Sequence, residues 1–406
     1  MFKKIHISLI LLLAILFQGC LKNNLFDFID NFYSQISSNS DCPALFIYDA
    51  KKNPHDSSRG FQGCPTIGYD GKYLYAAWIC GIRDEELGNY LSVSISKDSG
   101  RTWVANKLLI VPKHDSGRCI EPSLWRDKFG KLHLFFTTIN NGGMWDGGAS
   151  GVWDIGIEYV NDKILITNPK RLGSGILITK PCPSIIDSNS VFFPIYNWNC
   201  TFSGIYNGKY FAVTPSNING TIVYKSSYNL AGNLILPLSK ISPKVPISVP
   251  RNFDEPNLVD LGEKKLLLMR RTTSDGINQC ISNDNGITWG KDTVFTALGP
   301  TTSSRFFLGK LKSGNILFVL NNNVNRKTLT AYLSKNGGIS WPYRLVLEPN
   351  QCSYPDVIQD NSGNVFVVWD KSRATQGFIY ISKFTENDIL NGDSSKVKSY
   401  LVSKVK

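Results

Sequence analysis

The sequence has few of the residues that build metal and redox sites. It contains four histidines in 406 residues, none of them at the spacing of a metal-ligand pair, and it has no Cys-x-x-Cys motif. Charged residues make up only 19% of the chain, and no basic helix or basic–aromatic module accompanies the formal net charge of +12. We therefore expect no metal, no cofactor and no nucleic-acid partner. The positive charge suits either an acidic ligand or a surface with scattered lysines.

A long membrane-spanning run is also missing near the N-terminus. The apolar stretch 7–17 follows Lys3 and Lys4 and is too short to cross a bilayer, as in a signal peptide. It ends at Gly19-Cys20, which resembles a bacterial lipobox with less usual residues before the glycine. We predict a lipoprotein signal peptide at 1–19 and a lipidated Cys20 with its spacer at 20–43. The lipobox predicts an outer-membrane lipoprotein of the bacterial cell envelope, facing the periplasm or the cell surface. An ordinary secretory signal is the alternative, and both exclude a cytoplasmic enzyme.

Cysteine pairing is permitted but not specified by the sequence. Removing Cys20 from the nine cysteines leaves an even number, which allows disulfides in an oxidising compartment. Cys64 and Cys80 fall in successive strand-like runs and form one candidate pair.

Three segments repeat one short pattern, Ser-x-Asp-x-Gly-x-Thr-Trp. They are Ser96–Trp103, Ser282–Trp289 and Ser334–Trp341, the last with Asn336 for Asp and Ser340 for Thr. Each follows a strand-like run and has the residues of a tight turn, because Asp and Ser satisfy backbone groups locally and Gly permits a positive φ. A stretch at 224–232 is a degraded candidate copy. Such repeats indicate a repeated supersecondary unit.

Six apolar runs give the size of that unit. Their starts lie roughly 50 to 75 residues apart, a plausible length for four-stranded propeller blades. They are Tyr73–Cys80, Lys131–Thr138, Val191–Trp198, Lys265–Arg271, Asn315–Asn321 and Asn364–Asp370. We predict an all-β, six-bladed β-propeller over 44–390, with the strand Leu45–Tyr48 closing the last blade and a basic tail at 391–406. Two stacked β-sandwiches fit the short strands but not the repeated turns.

The repeated turns resemble the Asp boxes of sialidases, and most of the chain is similar to bacterial sialidase-like proteins with BNR repeats. The resemblance implies a site at the propeller axis. Tyr354, in Ser-Tyr-Pro-Asp, matches the nucleophilic tyrosine of the family, and Glu255, in Asp-Glu-Pro, matches the glutamate that assists it. Arg270 and Arg326 match two arginines of the triad that holds the substrate carboxylate. A neutral phenol suits a sugar that carries its own carboxylate on the anomeric carbon, and guanidinium groups bind that carboxylate bidentately.

The chain departs from the family at two places. The Arg-Ile-Pro of the first blade is replaced by Gly63-Cys64-Pro65, so a triad arginine is missing, and we consider Arg59 and Arg305 as substitutes. The acid/base aspartate is replaced by the acidic turn that contains Asp84 and Glu86, with Glu86 nearest the expected register. A carboxyl group there donates a proton if burial raises its pKa.

Further ligand contacts are assigned to single residues, although residues of these types, taken singly, more often have a structural role. They are Arg118, Trp145, Asp146, Asp254, Asp356 and Arg373. The resulting hypothesis is an exported, monomeric exo-glycosidase that acts on a terminal acidic sugar of a glycan. Two alternatives stay open: a glycan-binding propeller without turnover, and a glycosidase for another ulosonic-acid or uronic-acid glycan.

Overall fold

The computed structural model describes residues 41–406, apart from 49, 53–57, 114–116, 140–150, 198–202, 207–208, 213–219, 247–253, 273–275, 323–324, 374 and 406. The predicted signal peptide, Cys20, Trp145 and Asp146 lie outside the described residues. The contacts divide the chain into the units Met1–Asp41 and Cys42–Lys406, and the fold below is that of the second unit. No helix in the described part is long and apolar enough to cross a membrane.

Six antiparallel sheets follow one another along the chain as the blades of a six-bladed β-propeller. Blade one comprises β1 (Ala44–Ile47), an added strand at its outer edge, and four strands counted from the axis as first to fourth, β2 (Phe61–Tyr69), β3 (Leu74–Gly81), β4 (Tyr90–Ser96) and β5 (Val104–Pro112). Blade two comprises β6 (Arg118–Arg126), β7 (Leu132–Ile139), β8 (Gly151–Val160), β9 (Lys163–Ile166) and β10 (Lys170–Ser174). Blade three comprises β11 (Cys182–Pro183), β12 (Ser190–Asn197), β15 (Gly220–Ser227) and β16 (Ser239–Lys240), with the separate hairpin β13 (Ser203–Tyr206) and β14 (Lys209–Ala212).

The second half of the propeller is more regular, with four strands in each sheet. Blade four comprises β17 (Asn257–Gly262), β18 (Lys265–Arg271), β19 (Ile277–Ser282) and β20 (Thr293–Val294). Blade five comprises β21 (Phe307–Lys310), β22 (Ile316–Asn321), β23 (Lys327–Ser334) and β24 (Tyr343–Gln351). Blade six comprises β25 (Ser353–Gln359), β26 (Asn364–Lys371), β27 (Phe378–Thr385) and β28 (Lys398–Ser403), with the helix α1 (Glu386–Asn391) between its last two strands.

The predicted fold class is confirmed, and the six apolar runs read from the sequence correspond to the second strand of each blade. Two details differ. The strand Ala44–Ile47 pairs with β5 at the outer edge of blade one and does not close the last blade. The segment expected as a tail supplies β28, which pairs with β27 as the outer strand of blade six.

Each interface between neighbouring blades has its own apolar core, because successive side chains of a strand point to opposite faces of its sheet. In β18, Leu266 and Leu268 pack against blade three. The alternate residues Leu267 and Met269 pack against blade five. Six such clusters join the blades, so both faces of a typical blade are buried.

The Asp boxes form nearly identical turns between the third and fourth strands of blades one, four and five. In the first, the Ser96 hydroxyl accepts from the Gly100 amide at 2.9 Å, and the Asp98 carboxylate accepts from the Thr102 amide at 2.9 Å. The altered third box keeps these contacts: Asn336 Oδ1 accepts from the Ser340 amide at 3.0 Å. An amide oxygen therefore replaces the carboxylate in the backbone bond of this turn.

The candidate disulfide between Cys64 and Cys80 does not form. Both are buried thiols, and no disulfide joins the cysteines within the described residues. Cys80 packs between blades one and six beside Trp78, whereas Cys64 lies on the other side of the sheet, toward blade two and the axis. The two side chains therefore point apart.

Candidate active site

The candidate site lies where the first strands of the blades begin, around the propeller axis. In blades one, two and six the pairing of the first strand skips residues, and the irregularity contains Cys64, Glu121 and Tyr354, with φ of 55°, 52° and 55°. Glu255, just before β17, has φ 38°. Positive φ is uncommon for residues other than glycine and concentrates at functional sites. Each of these four residues precedes a proline, so one local device turns four side chains toward the axis.

Tyr354 lies at the centre of a group of guanidinium side chains. It is 5% exposed, and the guanidinium carbons of Arg373, Arg305 and Arg326 lie 4.4, 4.7 and 5.3 Å from the centre of its ring. Burial, followed by the Glu255 carboxylate, raises the pKa of the phenol. The hydroxyl is therefore protonated at neutral pH.

Arg271 connects the phenol to Glu255. Its Nη1 donates to Glu255 Oε2 at 3.0 Å and to the Tyr354 hydroxyl at 3.2 Å. Both oxygens thus share one donor, which brings the carboxylate and the phenol together at the axis. The arrangement holds a base beside a protonated nucleophile, as covalent catalysis by a tyrosine requires.

Arg305 joins Glu255 to a second carboxylate at the axis, that of Glu121. Its Nη2 lies 2.6 Å from Glu121 Oε2 and 3.6 Å from Glu255 Oε1. Burial raises the pKa of Glu121 to about 7; Arg305 opposes this shift, while Glu85 and Glu255 add to it. Tyr196 of blade three lies in the same electrostatic environment, because Glu121, Glu255, Arg305 and Arg271 all influence its hydroxyl.

The space at Gly63 is filled by an arginine from another blade. A Cβ added at Gly63 would lie 2.3 Å from Arg373 Cδ and 3.0 Å from Asp370 Oδ2. Arg373 follows β26 of blade six, and its Nε lies 4.0 Å from Asp370 Oδ2. Blade six therefore places a guanidinium where the sequence resemblance leaves a gap in blade one.

Glu85 holds the other side of Arg373. The turn between β3 and β4 places Glu85 Oε1 2.9 Å from Arg373 Nη1, and the Cys64 thiol donates to the same oxygen at 3.6 Å. Burial raises the pKa of Glu85, but Arg373, Arg118 and Arg305 outweigh it and the net shift is downward. In the ligand-free protein Glu85 is therefore a carboxylate.

Five of the residues singled out in the sequence, counting Arg373 and Tyr354, converge at the axis. Glu255 and Arg305 are buried beside Tyr354. Arg326 stacks over the same ring, and its Nη2 donates to the Ser303 carbonyl at 3.3 Å. Among the described residues no carboxylate pairs with Arg326, which leaves its charge available to an anionic ligand.

Arg270 does not reach the axis, contrary to the sequence prediction. It is fully buried between blades three and four, where its Nη2 pairs with Asp292 and donates to the Pro246 carbonyl at 2.7 Å. Arg270 continues the row of Leu266 and Leu268, and its neighbour Arg271 continues the opposite row. The alternation of side chains along β18 therefore gives the axial position to Arg271.

Arg59 and Arg118 also bind within the protein. Arg59 Nε donates to the Tyr90 hydroxyl at 3.1 Å and Nη2 to Asn106 Oδ1 at 3.1 Å, across the strands of blade one, so it does not replace the missing arginine. Arg118 is 1% exposed and donates through Nη2 to Asn89 Oδ1 at 2.7 Å. Its contribution to the site is indirect, since it fixes the base of the turn that carries Glu85.

The acidic turn presents a different residue from the one predicted. Asp84 is exposed and its carboxylate accepts from the Glu85 amide at 2.8 Å. Glu86 accepts from the Arg83 amide at 2.9 Å. Both side chains stabilise the turn itself, and Glu85 between them points to the axis.

Asp356 forms a structural contact. Its Oδ2 lies 2.6 Å from Lys180 Nζ and accepts from the Thr66 hydroxyl at 2.7 Å and the Ile67 amide at 2.9 Å. Lys180 also donates to the Ile67 and Leu124 carbonyls at 2.8 and 2.6 Å. These bonds connect blades one, two, three and six around the axis. Because Asp356 Oδ2 already has three partners within the protein, we assign Asp356 a structural role and not a ligand contact.

The site contains residues that the sequence reasoning did not assign. Glu121 had a usable signal, because a polar residue before a proline recurs at the start of the first strand in several blades, as in Glu121-Pro122 and Glu255-Pro256. Glu85 and Arg271 each lie one position from a predicted residue, an error of register. Arg373 was named from the sequence only as a further ligand contact; its position at Gly63 depends on the contact between the first and last blades, which no local pattern encodes.

Comparison with known proteins supports the fold. A model of the BNR repeat-like domain matches residues 247–367. A Hadza microbial sialidase superposes with a TM-score of 0.61 at 15% identity, over 85% of this chain and 69% of that one. The chain therefore has the six-bladed propeller fold of sialidases, and its residues 247–367 match the BNR repeat-like domain.

Two further solved structures extend this likeness. The NanB sialidase from Streptococcus pneumoniae gives a TM-score of 0.56 at 12% identity, over 86% of this chain and 71% of that one. The Trypanosoma rangeli sialidase gives 0.54 at 13% identity, over 87% of this chain and 61% of that one. No curated protein sequence matches the chain. At such identities the likeness identifies the architecture of this sialidase-like propeller, and its chemistry has to be argued from the axial residues.

Proposed function

We propose that this sialidase-like propeller is an exo-acting glycoside hydrolase that releases a terminal acidic sugar from glycans. The observation that carries the proposal is the surrounding of Tyr354, whose ring lies beneath three guanidinium groups and whose hydroxyl shares Arg271 with Glu255. The Trypanosoma rangeli sialidase, which has the same fold, is known in complex with sialic acid. Sialic acid and related 2-keto acids are therefore the substrates we favour.

The substrate carboxylate is bound by the arginines above Tyr354. Arg326 and Arg373 lie over the ring, and Arg271 reaches its hydroxyl. A guanidinium group stays charged at any physiological pH and donates two parallel hydrogen bonds to a carboxylate. Binding the carboxylate here holds the anomeric carbon, to which it is attached, close to the phenol oxygen.

In the first step the Tyr354 oxygen bonds to the anomeric carbon while the glycosidic bond breaks. The phenol proton passes to Glu255, and the departing glycosidic oxygen takes a proton from Glu85, which is a neutral carboxyl group in the substrate complex. A neutral phenol is suited to this attack because a carboxylate nucleophile would be repelled by the substrate carboxylate. The product is a covalent glycosyl–tyrosine and a free aglycone.

In the second step water releases the sugar. Glu85, now ionised, takes a proton from water as the water oxygen bonds to the anomeric carbon, and the tyrosine oxygen leaves and recovers its proton from Glu255. Both carboxyl groups return to their starting states, and the anomeric configuration is retained after two displacements.

Tyr354→Phe tests the assignment. The variant keeps the ring beneath the arginines but lacks the nucleophile, so we expect turnover to fall by a factor on the order of a thousand or more, with binding of the acidic sugar retained. The measurement is sugar release from a panel of sialosides, ulosonic-acid glycans and uronic-acid oligosaccharides, with binding followed separately.

Tyr343→Phe is the matched control, since Tyr343 lies in β24 of blade five away from the axis, and it should keep full activity. Undiminished release by Tyr354→Phe would refute the mechanism. Binding of an acidic sugar by the wild-type protein without any release would instead assign the propeller to glycan recognition.

We further propose that the protein is exported and anchored through a lipid on Cys20. The proposal rests on the run 7–17 and on Gly19-Cys20. Growth of the bacterial host with an alkyne-bearing fatty acid should label the wild-type protein and not Cys20→Ala, which should leave the membrane fraction. Equal labelling of the two would refute lipidation at this residue.

A further inference from the structure

The pairing of Glu85 with Arg373 has a consequence for how substrate enters the site. The two side chains are 15% and 20% exposed and lie 2.9 Å apart. In the mechanism above the same guanidinium binds the substrate carboxylate and the same glutamate donates a proton. In the ligand-free protein the ion pair occupies Arg373 Nη1 and keeps the glutamate ionised, so neither group is ready for its role.

Resting on the proposed function, we infer that the Glu85 carboxylate occupies the place on Arg373 that the substrate carboxylate takes, and that its displacement by substrate converts Glu85 into the proton donor. The two carboxylates have the same charge and the same hydrogen-bonding geometry, so one replaces the other on Arg373 without leaving the guanidinium unpaired.

The turn permits a change of the Glu85 side chain while its own backbone stays fixed. Asn89 Nδ2 donates to the Asp84 carbonyl at 3.0 Å, and Asn89 Oδ1 accepts from the Glu86 amide at 2.7 Å. Arg118 Nη2 also donates to Asn89 Oδ1, at 2.7 Å. The peptide groups on both sides of Glu85 are thus anchored, and a rotation of its side chain is sufficient to leave Arg373.

Arg373 is held independently of Glu85. Its guanidinium stacks on the Tyr354 ring with 4.4 Å between the guanidinium carbon and the ring centre, and Asp370 lies 4.0 Å from its Nε. The contact with Gly63 limits its movement on the blade-one side. Arg373 therefore remains in position to receive a new carboxylate when Glu85 leaves.

Displacement changes the proton affinity of Glu85 in the required direction. The groups that face Glu85 are Arg373 from blade six, Arg118 from blade two, Arg305 from blade five and the Cys64 thiol, and Glu121 lies close enough to interact. Loss of the Arg373 pairing and arrival of a second anion both favour the neutral carboxyl group. Glu85 then takes a proton from solvent, and this proton passes to the glycosidic oxygen.

Calorimetric titration with 2,3-didehydro-2-deoxy-N-acetylneuraminate tests the inference, since this probe carries the carboxylate but has no glycosidic bond to cleave. Titrations in buffers of different ionisation enthalpy give the number of protons taken up. We expect Glu85→Gln to bind the probe at least about fivefold more tightly than the wild type, the lower end of typical coupling between two ligands, to take up fewer protons and to lose turnover.

Glu86→Gln on the same turn is the matched control, because Glu86 bonds to the Arg83 amide and not to Arg373; its affinity and proton uptake should equal those of the wild type. Equal affinity and proton uptake in Glu85→Gln and the wild type would overturn the displacement and leave the proposed glycosidase standing. Binding of the probe by Glu85→Gln but not by the wild type would support the displacement. If neither Glu85→Gln nor the wild type binds the probe, and the wild type has no turnover, the proposed function is refuted and the displacement with it.

Discussion

Among the single residues, Gly63 decides which arginine reaches the nucleophile. Its missing side chain leaves the space through which Arg373 passes, with Arg373 Cδ 2.3 Å from the position of a Cβ. Gly63 does not have a positive φ, so alanine is compatible with its backbone. The glycine is therefore required for space, and the effect of a substitution falls on Arg373 and not on the fold of the strand.

Gly63→Ala should consequently impair the binding of acidic ligands in a protein that still folds. The added methyl group moves Arg373 away from Tyr354 and removes charge-assisted hydrogen bonds worth about 1.5–3 kcal/mol, which corresponds to a loss of affinity of about tenfold to a hundredfold. The measurements are the dissociation constant for the didehydro sugar probe and the thermal unfolding midpoint.

The control for this substitution is Gly173→Ala in β10, where an added Cβ would meet no atom within 4 Å, and where affinity should not change. Arg373→Ala should reproduce the loss, and the double variant Gly63→Ala/Arg373→Ala should lose no more than Arg373→Ala alone, because both act through one contact. Additive losses would show that Gly63 acts by another route.

At the scale of strands and turns, the parts of the fold that depend on local chemistry were predictable. The Asp boxes combine a serine, an aspartate and a glycine within one turn, and the structure repeats the same bonds in each box, such as Ser282 accepting from the Gly286 amide at 2.8 Å. The second strands are apolar on both faces because each blade packs between two others. Both signals are contained in short stretches of sequence, which is why they gave the architecture and the blade register.

The errors occurred where one residue of register decides direction. Arg270 and Arg271 are adjacent, but only Arg271 continues the row that faces blade five, and a one-residue change moves a side chain to the opposite face. The same holds in the acidic turn, where Glu85 and not Glu86 reaches Arg373. The bulges before Pro122 and Pro355 add a further shift, so counting along a strand from the sequence alone does not predict which residue reaches the axis.

On the scale of the whole molecule, the site depends on contacts that close the ring of blades. The Gln62 backbone amide donates to the Arg373 backbone carbonyl at 3.2 Å, which joins the first blade to the last. Closer to the axis, Lys180 of blade three reaches Asp356 of blade six and the carbonyls of Ile67 and Leu124. Because every apolar core lies between two blades, the blades stabilise one another, and a contact shared by four of them acts on the propeller as a unit.

Lys180→Met should therefore lower the stability of the entire propeller in a single transition. Asp356 and two carbonyls lose their buried cation, and removing one partner of a buried ion pair costs about 3–5 kcal/mol. Equilibrium denaturation followed by both tryptophan fluorescence and circular dichroism should show coincident curves shifted to lower denaturant. The double variant Lys180→Met/Asp356→Leu should recover part of the loss, because it removes the unpaired buried carboxylate. The control is Lys170→Met, at an exposed lysine of blade two, which should leave the stability unchanged. Two outcomes would contradict a ring held together at its axis. One is a Lys180→Met variant as stable as the wild type, and the other is separate unfolding transitions for separate blades.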